Sequence, residues 1–187
     1  MTEGKTILGI DPGTNLLGFG VIRVDEHRHM QYVDMGVLDL RKVPDAYSKL
    51  ACIHNYIAEL CEQYHPDDMA IESPFMGKNA QVIFKLGRAQ GAAIIAATEA
   101  GCEVTEYAPR KAKIAVCGNG AASKEQVADI AQRTLGIKID QKYLDATDAL
   151  AIAMCHFYQI TSPARVAGGS CSWEKFIAAN PDRINKK

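Results

Sequence analysis

Residues 6–22, TILGIDPGTNLLGFGVI, hold the feature that most constrains the fold: an apolar run that ends in one carboxylate and a tight turn. The run before Asp11 fits a strand that is buried on both faces. Pro12 and Gly13 can extend neither a strand ladder nor a helix, so the chain must reverse there. Asp11 is therefore predicted at the carboxyl end of a buried strand, where an uncompensated carboxylate is costly. A bound metal ion would compensate it, and a simple turn-capping role would also explain it.

Alternating strand and helix patterns fill most of the chain and predict an α/β fold. Two strands joined by a polar connector follow the turn and complete a three-stranded antiparallel meander. Strands are predicted at residues 7–11, 17–24, 30–40, 69–72 and 102–107, and helices at 44–64, 80–99, 108–113, 123–136 and 145–158. We therefore predict a mixed five-stranded sheet, three antiparallel strands and then parallel ones, flanked by helices. The domain is expected over residues 1–160, followed by a C-terminal tail, 161–187, with room for a short peripheral helix.

The predicted helix at 80–99 is rich in small residues. Gly87, Ala89, Gly91 and Ala92 leave little side-chain bulk along it. Another backbone can approach such a helix closely. We expect this helix to pack tightly on the sheet or on a second subunit.

Three more carboxylates resemble Asp11 in their setting. Glu72 ends a short apolar strand and is followed by a Ser-Pro pair. Asp145 and Asp148 lie in the first turn of the last predicted helix, three residues apart, so they share one helical face. Capping and the helix dipole alone would explain these two aspartates, but four crowded carboxylates repel one another unless divalent cations neutralise them. Oxygen ligands favour magnesium or manganese, and two such ions suit the attack of water on a phosphodiester.

Composition describes an ordinary globular protein with one domain and room for an appendage. The 187 residues carry a formal net charge of −1, which argues against a strongly basic nucleic-acid binder. The charge is unevenly spread: residues 1–77 hold six Lys and Arg against twelve Asp and Glu, whereas residues 78–124 hold seven against three. A basic middle segment of this kind can form a local binding surface for a polyanion.

The cysteines and the apolar runs indicate a compartment. The six cysteines show no C-x-x-C pairing, so buried free thiols are predicted rather than a zinc site. No apolar run is long enough to cross a bilayer, and the first residues lead into a strand pattern without a signal peptide. We therefore expect a cytoplasmic protein that makes no membrane contact.

Several motifs together resemble the bacterial RuvC family of Holliday-junction resolvases. They are GIDPGT with GFGVI, IESPFMGKNA with LGRAQG, YAPRKAK with VCGNGAASKEQV, and DATDALAIAMCHFY, in order across residues 6–158. The resemblance implies an RNase H-like fold and a homodimeric endonuclease that resolves four-way junction DNA in recombination and repair. It further implies hydrolysis with two Mg²⁺ ions per subunit, for which Mn²⁺ can substitute. Paired nicks on opposite strands, leaving 5′-phosphate and 3′-hydroxyl ends, and partnership with the RuvA–RuvB branch-migration complex are also implied.

Residue by residue, the resemblance assigns two kinds of role. The catalytic, metal-binding acids are Asp11, Glu72, Asp145 and Asp148, and Phe75 is the aromatic residue that wedges against bases at the junction. The basic residues that would face DNA phosphates or extend that surface are Lys78, Arg88, Arg110, Lys113 and Lys124. Ser73 and Pro74 stand where the family commonly has Gln and an apolar residue, and the proline stiffens the approach to Phe75.

Two other functions are compatible with parts of the sequence. The turn after Asp11 also suits the phosphate loop of an actin-like or sugar-kinase ATPase, but that architecture needs two such domains and this chain is too short for both. The second alternative is a non-catalytic RNase H-like module that binds branched DNA. The presence of all four acids disfavours it.

Overall fold

The computed structural model describes residues 4–74, 79–139 and 144–162, and for Leu144 and Asp145 the backbone alone. Strands and helices alternate through these ranges. The strands are β1 (Lys5–Asp11), β2 (Leu16–Val24), β3 (Met30–Asp39), β4 (Asp68–Glu72) and β5 (Glu103–Tyr107). The helices are α1 (Ala46–Tyr64), α2 (Ala80–Glu99), α3 (Pro109–Cys117), α4 (Lys124–Leu135) and α5 (Leu144–Thr161).

The strands form one sheet in the order β3-β2-β1-β4-β5. β1 and β2 are antiparallel, as are β2 and β3. β4 runs parallel to β1, and β5 runs parallel to β4. Each parallel strand follows a crossover helix, α1 before β4 and α2 before β5, because a tight hairpin cannot join parallel neighbours. The predicted mixed sheet, with three antiparallel strands and then parallel ones, is confirmed.

The sheet has two different faces, because side chains alternate along each strand. Leu8 and Ile10 of β1 and Ile71 of β4 lie in the main hydrophobic core, which also contains Ile57 of α1 and Ala93 of α2. Helices α1 and α2 therefore cover this face. Burying each large side chain there contributes about 1.5–3 kcal/mol. The alternate strand residues point to the opposite face, which helix α5 covers.

Local signals fix most helix ends where the sequence predicts them. Asp45 caps α1 by accepting hydrogen bonds from two backbone N–H groups of the first turn. Ser123 and Gln126 form the predicted capping box at the start of α4. Gly136 ends that helix with a φ of 66°, in the left-handed region that glycine tolerates.

Helix α3 is longer than predicted. It continues past residue 113 to Cys117 and ends at Gly118, whose φ is 68°. The apolar positions after residue 113 lie close to the predicted glycine turn, so the sequence alone favoured an earlier end. Ala112 is the buried residue of this helix, so burial gives little sequence signal for where the helix ends.

Further sequence predictions can be compared with the described residues. Cys61, Cys102 and Cys155 are buried free thiols, as predicted, while Cys171 lies outside the described ranges. No described helix is long and apolar enough to cross a membrane. The chain up to Phe157 forms one compact unit, and a second unit starts at Tyr158, of which residues 158–162 are described. The domain boundary at residue 160 and the helix in the tail stay predictions.

Candidate active site

Asp11 and Glu72 end neighbouring parallel strands. Ile10 of β1 pairs with Ile71 of β4. The next residue of each strand is an acid, Asp11 on β1 and Glu72 on β4, and each is the last residue of its strand. Adjacent strands lie about 4.8 Å apart, so the two acids are neighbours across the sheet. The carboxyl edge of the sheet thus unites two acids that are far apart in sequence.

Two glycines bring helix α5 onto the face to which these acids point. Gly9 and Gly20 pair across β1 and β2. A Cβ atom at Gly9 would lie 2.1 Å from the carbonyl oxygen of Ala149, and one at Gly20 would lie 2.7 Å from the Cα of Leu150. Asp11 is two residues after Gly9, so its side chain leaves the strand on the same side. Neither glycine was among the predicted site residues, although glycine inside an apolar strand signals close backbone approach.

Asp148 reaches the site from the first part of α5. Its side chain is 17% exposed, and its Oδ2 lies 2.7 Å from Nζ of Lys124. Lys124 is the first residue of α4, directly after the Ser123 cap. The capping box therefore fixes the backbone position from which the Lys124 side chain extends. Asp145 belongs to the same helix, but its side chain lies outside the described part of the structure, and its role stays a prediction.

The electrostatics of Glu72 show that the acids influence one another. The pKa of Glu72 is raised from its ordinary value of 4.5 to about 8, first by burial and then by the carboxylates of Asp11 and Asp148. The ammonium groups of Lys124 and Lys113 act in the opposite direction. Since the shift remains upward, the two lysines do not offset the burial and the negative charge. The cluster is short of positive charge.

The donor chemistry of this cluster fits a hard divalent cation. Asp11, Glu72 and Asp148 offer carboxylate oxygens, which magnesium and manganese prefer as ligands. Among the described side chains, no three acids, histidines or cysteines already lie close enough together to hold a metal ion. Lys124 instead forms an ion pair with Asp148. A cation held by the acids would relieve the repulsion that raises the pKa of Glu72.

Two of the predicted DNA-facing lysines lie beside the acids. Nζ of Lys113 donates a hydrogen bond of 2.8 Å to the carbonyl oxygen of Ala122, which ties α3 to the segment before α4. Its charge also lowers the pKa of Glu72. Lys124 is held by Asp148. Both lysines therefore bring positive charge to the rim of the acidic cluster.

The other predicted DNA-binding residues are spread more widely. Arg110 packs against Gly120, where a Cβ atom would lie 2.6 Å from Cγ of the arginine. Arg88 is exposed on α2. Phe75 and Lys78 lie outside the described residues. The structure thus brings together Lys113, Lys124 and the acids, and the DNA-binding roles themselves stay predictions.

Comparison with protein families gives a direct assignment. A family model described as crossover junction endodeoxyribonuclease RuvC matches residues 7–156. The chain belongs to the RuvC family. The match includes strands β2 to β5 and nearly all of β1, and it contains all four acids of the predicted site. The family resemblance inferred from the motifs is confirmed.

Individual members of the RuvC family are similar over almost the whole chain. The chain is 50% identical over 182 residues to crossover junction endodeoxyribonuclease RuvC of Bacteroides fragilis, covering 96% of each sequence. It also resembles the structure of Thermus thermophilus RuvC in complex with a Holliday junction substrate, with a TM-score of 0.73 and 31% identity over 84% of this chain and 96% of that one. A yeast mitochondrial Holliday junction resolvase, at 12% identity and a TM-score of 0.62, covers 84% of this chain and 79% of its own, and shares the fold.

Proposed function

We propose that this RuvC family member is a crossover junction endodeoxyribonuclease that resolves Holliday junctions in homologous recombination and DNA repair. One observation carries the proposal: a chain that matches this family along most of its length has acids at adjacent strand ends, facing a third acid from α5. The Thermus thermophilus relative, whose structure contains a Holliday junction substrate, supports the same substrate here. The family match favours this activity over the phosphate loop of an ATPase.

We propose that Asp11, Glu72, Asp145 and Asp148 hold two Mg²⁺ ions per subunit, with Mn²⁺ able to substitute. Metal bound there would stabilise charge on the phosphodiester and activate water at neutral pH. The chain itself keeps the acids on a rigid strand edge and a packed helix, which limits their reorganisation during the reaction. Lys113 and Lys124 add positive charge for the phosphate group. The expected products are paired nicks on opposite strands, with 5′-phosphate and 3′-hydroxyl ends.

The proposed contacts to the junction surround these acids. Phe75 follows Glu72 by three residues, so their Cα atoms lie within about 11 Å of each other. An aromatic wedge at that distance can stack on a base beside the bond that is cut. We assign phosphate contacts to the basic residues that the family resemblance indicates, which are Lys78, Arg88, Arg110, Lys113 and Lys124.

Helix α2 supports the proposal of a homodimer. Phe84 and Ile95 are 70% and 55% exposed. Gly87 and Gly91 have open space where a side chain would stand, so packing within this chain does not require glycine there. The four residues follow helical spacing and share one outward face. We propose that two copies associate through this face and that Phe84→Asp produces monomers in analytical ultracentrifugation, whereas an unchanged dimer would exclude it.

Two further assignments depend on the same activity. We propose that the RuvA–RuvB branch-migration complex delivers the junction to this protein, since junctions must be formed and moved before they are cut. We also propose that it works in the cytoplasm, where the DNA of bacterial relatives lies. Recovery of RuvA or RuvB with the protein on junction DNA is the measurement that bears on the first assignment.

Cleavage of a synthetic four-way junction tests the proposed activity. We expect Mg²⁺-dependent, symmetric nicks in the junction and no nicks in a linear duplex of the same sequence. A folded dimer that binds the junction without cutting it would instead be a non-catalytic module for branched DNA. Equal cutting of both substrates would remove the structure specificity.

The proposed wedge has its own test. Phe75→Ala should reduce junction cutting while stabilisation of the protein by Mg²⁺ stays unchanged, because the acids remain in place. Phe75→Leu is the matched variant that keeps apolar bulk and removes the aromatic ring. Wild-type cutting rates for both variants across several junction sequences would rule out the wedge.

A further inference from the structure

A cationic cleft lies beside the turn that follows Asp11. It has a volume of about 460 Å³, and its walls are the turn at residues 13–15, the start of α1 and one flank of α2. Its lining includes the side chains of Asn15, Tyr47, Lys49, Lys85 and Arg88. We call this site the Lys49 cleft. These residues come from three separate segments that the fold brings together.

Three positive charges of the Lys49 cleft, those of Lys49, Lys85 and Arg88, have no carboxylate partner among the described residues. Nζ of Lys49 donates hydrogen bonds to the carbonyl oxygen of Thr14, at 3.1 Å, and to Oδ1 of Asn15, at 3.0 Å. Both acceptors are neutral, so these hydrogen bonds hold the ammonium at the turn without a carboxylate to balance its charge. Within the described part of the chain, Lys85 and Arg88 form no ion pair. Their spacing of three residues places them on one flank of α2.

The remaining charged groups of the lining are already engaged. Arg41 is paired with Asp39, with 2.6 Å between Nη2 and Oδ2. Asp45 is the acid of the lining, and its carboxylate accepts hydrogen bonds from the backbone and the hydroxyl of Ser48 and from the backbone of Tyr47. Three unpaired cations therefore face one carboxylate that caps α1. The cleft is built to attract an anion.

We propose that the Lys49 cleft binds backbone phosphates of the DNA strand that is cut, a few nucleotides from the scissile bond. Thr14 is three residues from Asp11, so their Cα atoms lie within about 11 Å. Successive phosphates of one strand are spaced by about 3.4 Å along the duplex axis, so a strand at Asp11 reaches the cleft within a few nucleotides. Tyr47, 77% exposed at the cleft, offers a ring surface to a sugar or base of that strand.

The identity of the anion as DNA rests on the proposed function, while the cleft itself rests on the geometry. Its role is to hold the strand in register with the acids, because phosphate contacts fix position and orientation without reading sequence. Lys49 has a second task, since its hydrogen bonds also hold the turn. Lys85 and Arg88 have no such structural contact, and they are the residues to change.

Junction binding in EDTA, where no cutting occurs, tests the cleft. The variant is K85Q/R88Q, and the matched control is R23Q/R28Q, which removes the same charge. Arg23 pairs with Thr6 at the end of the sheet opposite Asp11, and Arg28 lies between β2 and β3. We expect K85Q/R88Q to lower affinity by about tenfold or more and to reduce the slope of log K against log salt by about 1–2, at about 0.9 per lost phosphate contact. The control should bind as the wild type does.

Single neutral methylphosphonates then locate the contact. Substitution of a phosphate within a few nucleotides of the cut should weaken the wild type and leave K85Q/R88Q unaffected. Equal affinity losses in the two double variants, or dissociation of K85Q/R88Q into monomers while the control keeps the wild-type oligomer, would overturn the proposal. Failure of the wild type to cut junctions would contradict the proposed function alone, because the cleft is tested by binding.

Discussion

Strand β4 carries an acid at each end, one buried and one partly buried, and the two acids are in opposite electrostatic situations. Asp68 starts the strand and Glu72 ends it. Burial raises the pKa of Asp68, but contacts with His156 and Lys5 outweigh it and hold the pKa below its usual value. The pKa of Glu72 is instead raised to about 8, by burial and by two further carboxylates.

The difference lies in the partners that the fold supplies. Nζ of Lys5 lies 2.9 Å from Oδ2 of Asp68, and Nε2 of His156 lies 3.4 Å from the same oxygen, without a well-formed hydrogen bond. Tyr107 completes this group through a 2.8 Å hydrogen bond between its hydroxyl and Nδ1 of His156. Asp68 is thus compensated within the chain. Glu72 instead lies among two carboxylates and two lysines, and the lysines do not offset its burial and the negative charge, which is the situation of a group that functions with an external cation.

The largest expected effect is on the rate of junction cutting, which should fall when Glu72 is changed and stay close to wild type when Asp68 is changed. Glu72→Gln should lower junction cutting by about 100-fold or more, in line with the loss of one preorganised electrostatic group. Asp68→Asn should leave the cutting rate of the folded protein within a few fold, because Asp68 faces Lys5 and His156 at the other end of the strand. Single-turnover cleavage of a four-way junction measures both. Comparable losses in the two variants would remove the functional distinction.

Asp148→Asn should behave like the Glu72 variant in cutting and like the wild type in binding. The substitution removes a proposed metal ligand but none of the basic surface. Asp129→Asn is a suitable control, because Asp129 forms an exposed ion pair with Arg133 on α4. Binding to a four-way junction in EDTA is the second measurement, and loss of binding by a folded Asp148 variant would contradict the assignment.

The next effect concerns stability. Asp68→Asn should lower the free energy of unfolding by about 1.5–3 kcal/mol, because the buried side chain loses its charge-assisted hydrogen bonds from the half-exposed Lys5. Glu72→Gln should leave it unchanged or raise it in metal-free protein at neutral pH. Urea unfolding followed by circular dichroism measures both values. A destabilised Glu72 variant would mean that its carboxylate is compensated in a way the contacts do not show.

A smaller effect is the pH dependence that Glu72 imposes on metal-free protein. Its pKa in the folded state, about 8, exceeds its ordinary 4.5, so the folded state binds more protons between these values. Stability therefore falls as pH rises from 4.5 to 8, with a slope of up to about 1.4 kcal/mol per pH unit. Glu72→Gln should remove this slope, whereas Asp68, with a lowered pKa, contributes stability that is lost only at acid pH. Identical pH profiles for wild type and Glu72→Gln would contradict the shift.

The smallest expected effect is stabilisation by the metal ion. Mg²⁺ at ten times its dissociation constant should stabilise the wild type by about 1.4 kcal/mol through mass action. Glu72→Gln should lose most of this gain, and Asp68→Asn should keep it. Thermal unfolding with and without Mg²⁺ provides the measurement, with Ca²⁺ as a comparison. Equal stabilisation of all three proteins would place the ion elsewhere.

Sequence patterns predicted the elements because their causes are local. The turn at Pro12 and Gly13, the capping box of Ser123 and Gln126 and the apolar periodicity of α1 each depend on neighbouring residues. Short apolar runs also predicted that Asp11 and Glu72 end buried strands. Motif order predicted the family, which the comparison confirmed. The end of α3 was predicted too early, because few of its residues are buried.

Contacts between distant segments were not predictable in the same way. No local pattern indicates that Lys124 pairs with Asp148, that Lys5 and His156 compensate Asp68, or that α5 lies against Gly9. The same holds for the Lys49 cleft, whose cations come from α1 and α2. Each arrangement depends on how closely helices pack on the sheet.

The sequence by itself determined the strands, the turns and the family, and it indicated the candidate acids, since periodicity, caps and motifs are properties of short segments. The tertiary structure alone decided which acids have a counter-charge. At Asp68 the fold supplies a lysine and a histidine, whereas at Glu72 it supplies two carboxylates together with two lysines that do not offset burial and the negative charge. The physical reason is that burial and Coulomb interactions act through space, between segments that only the packed fold brings together.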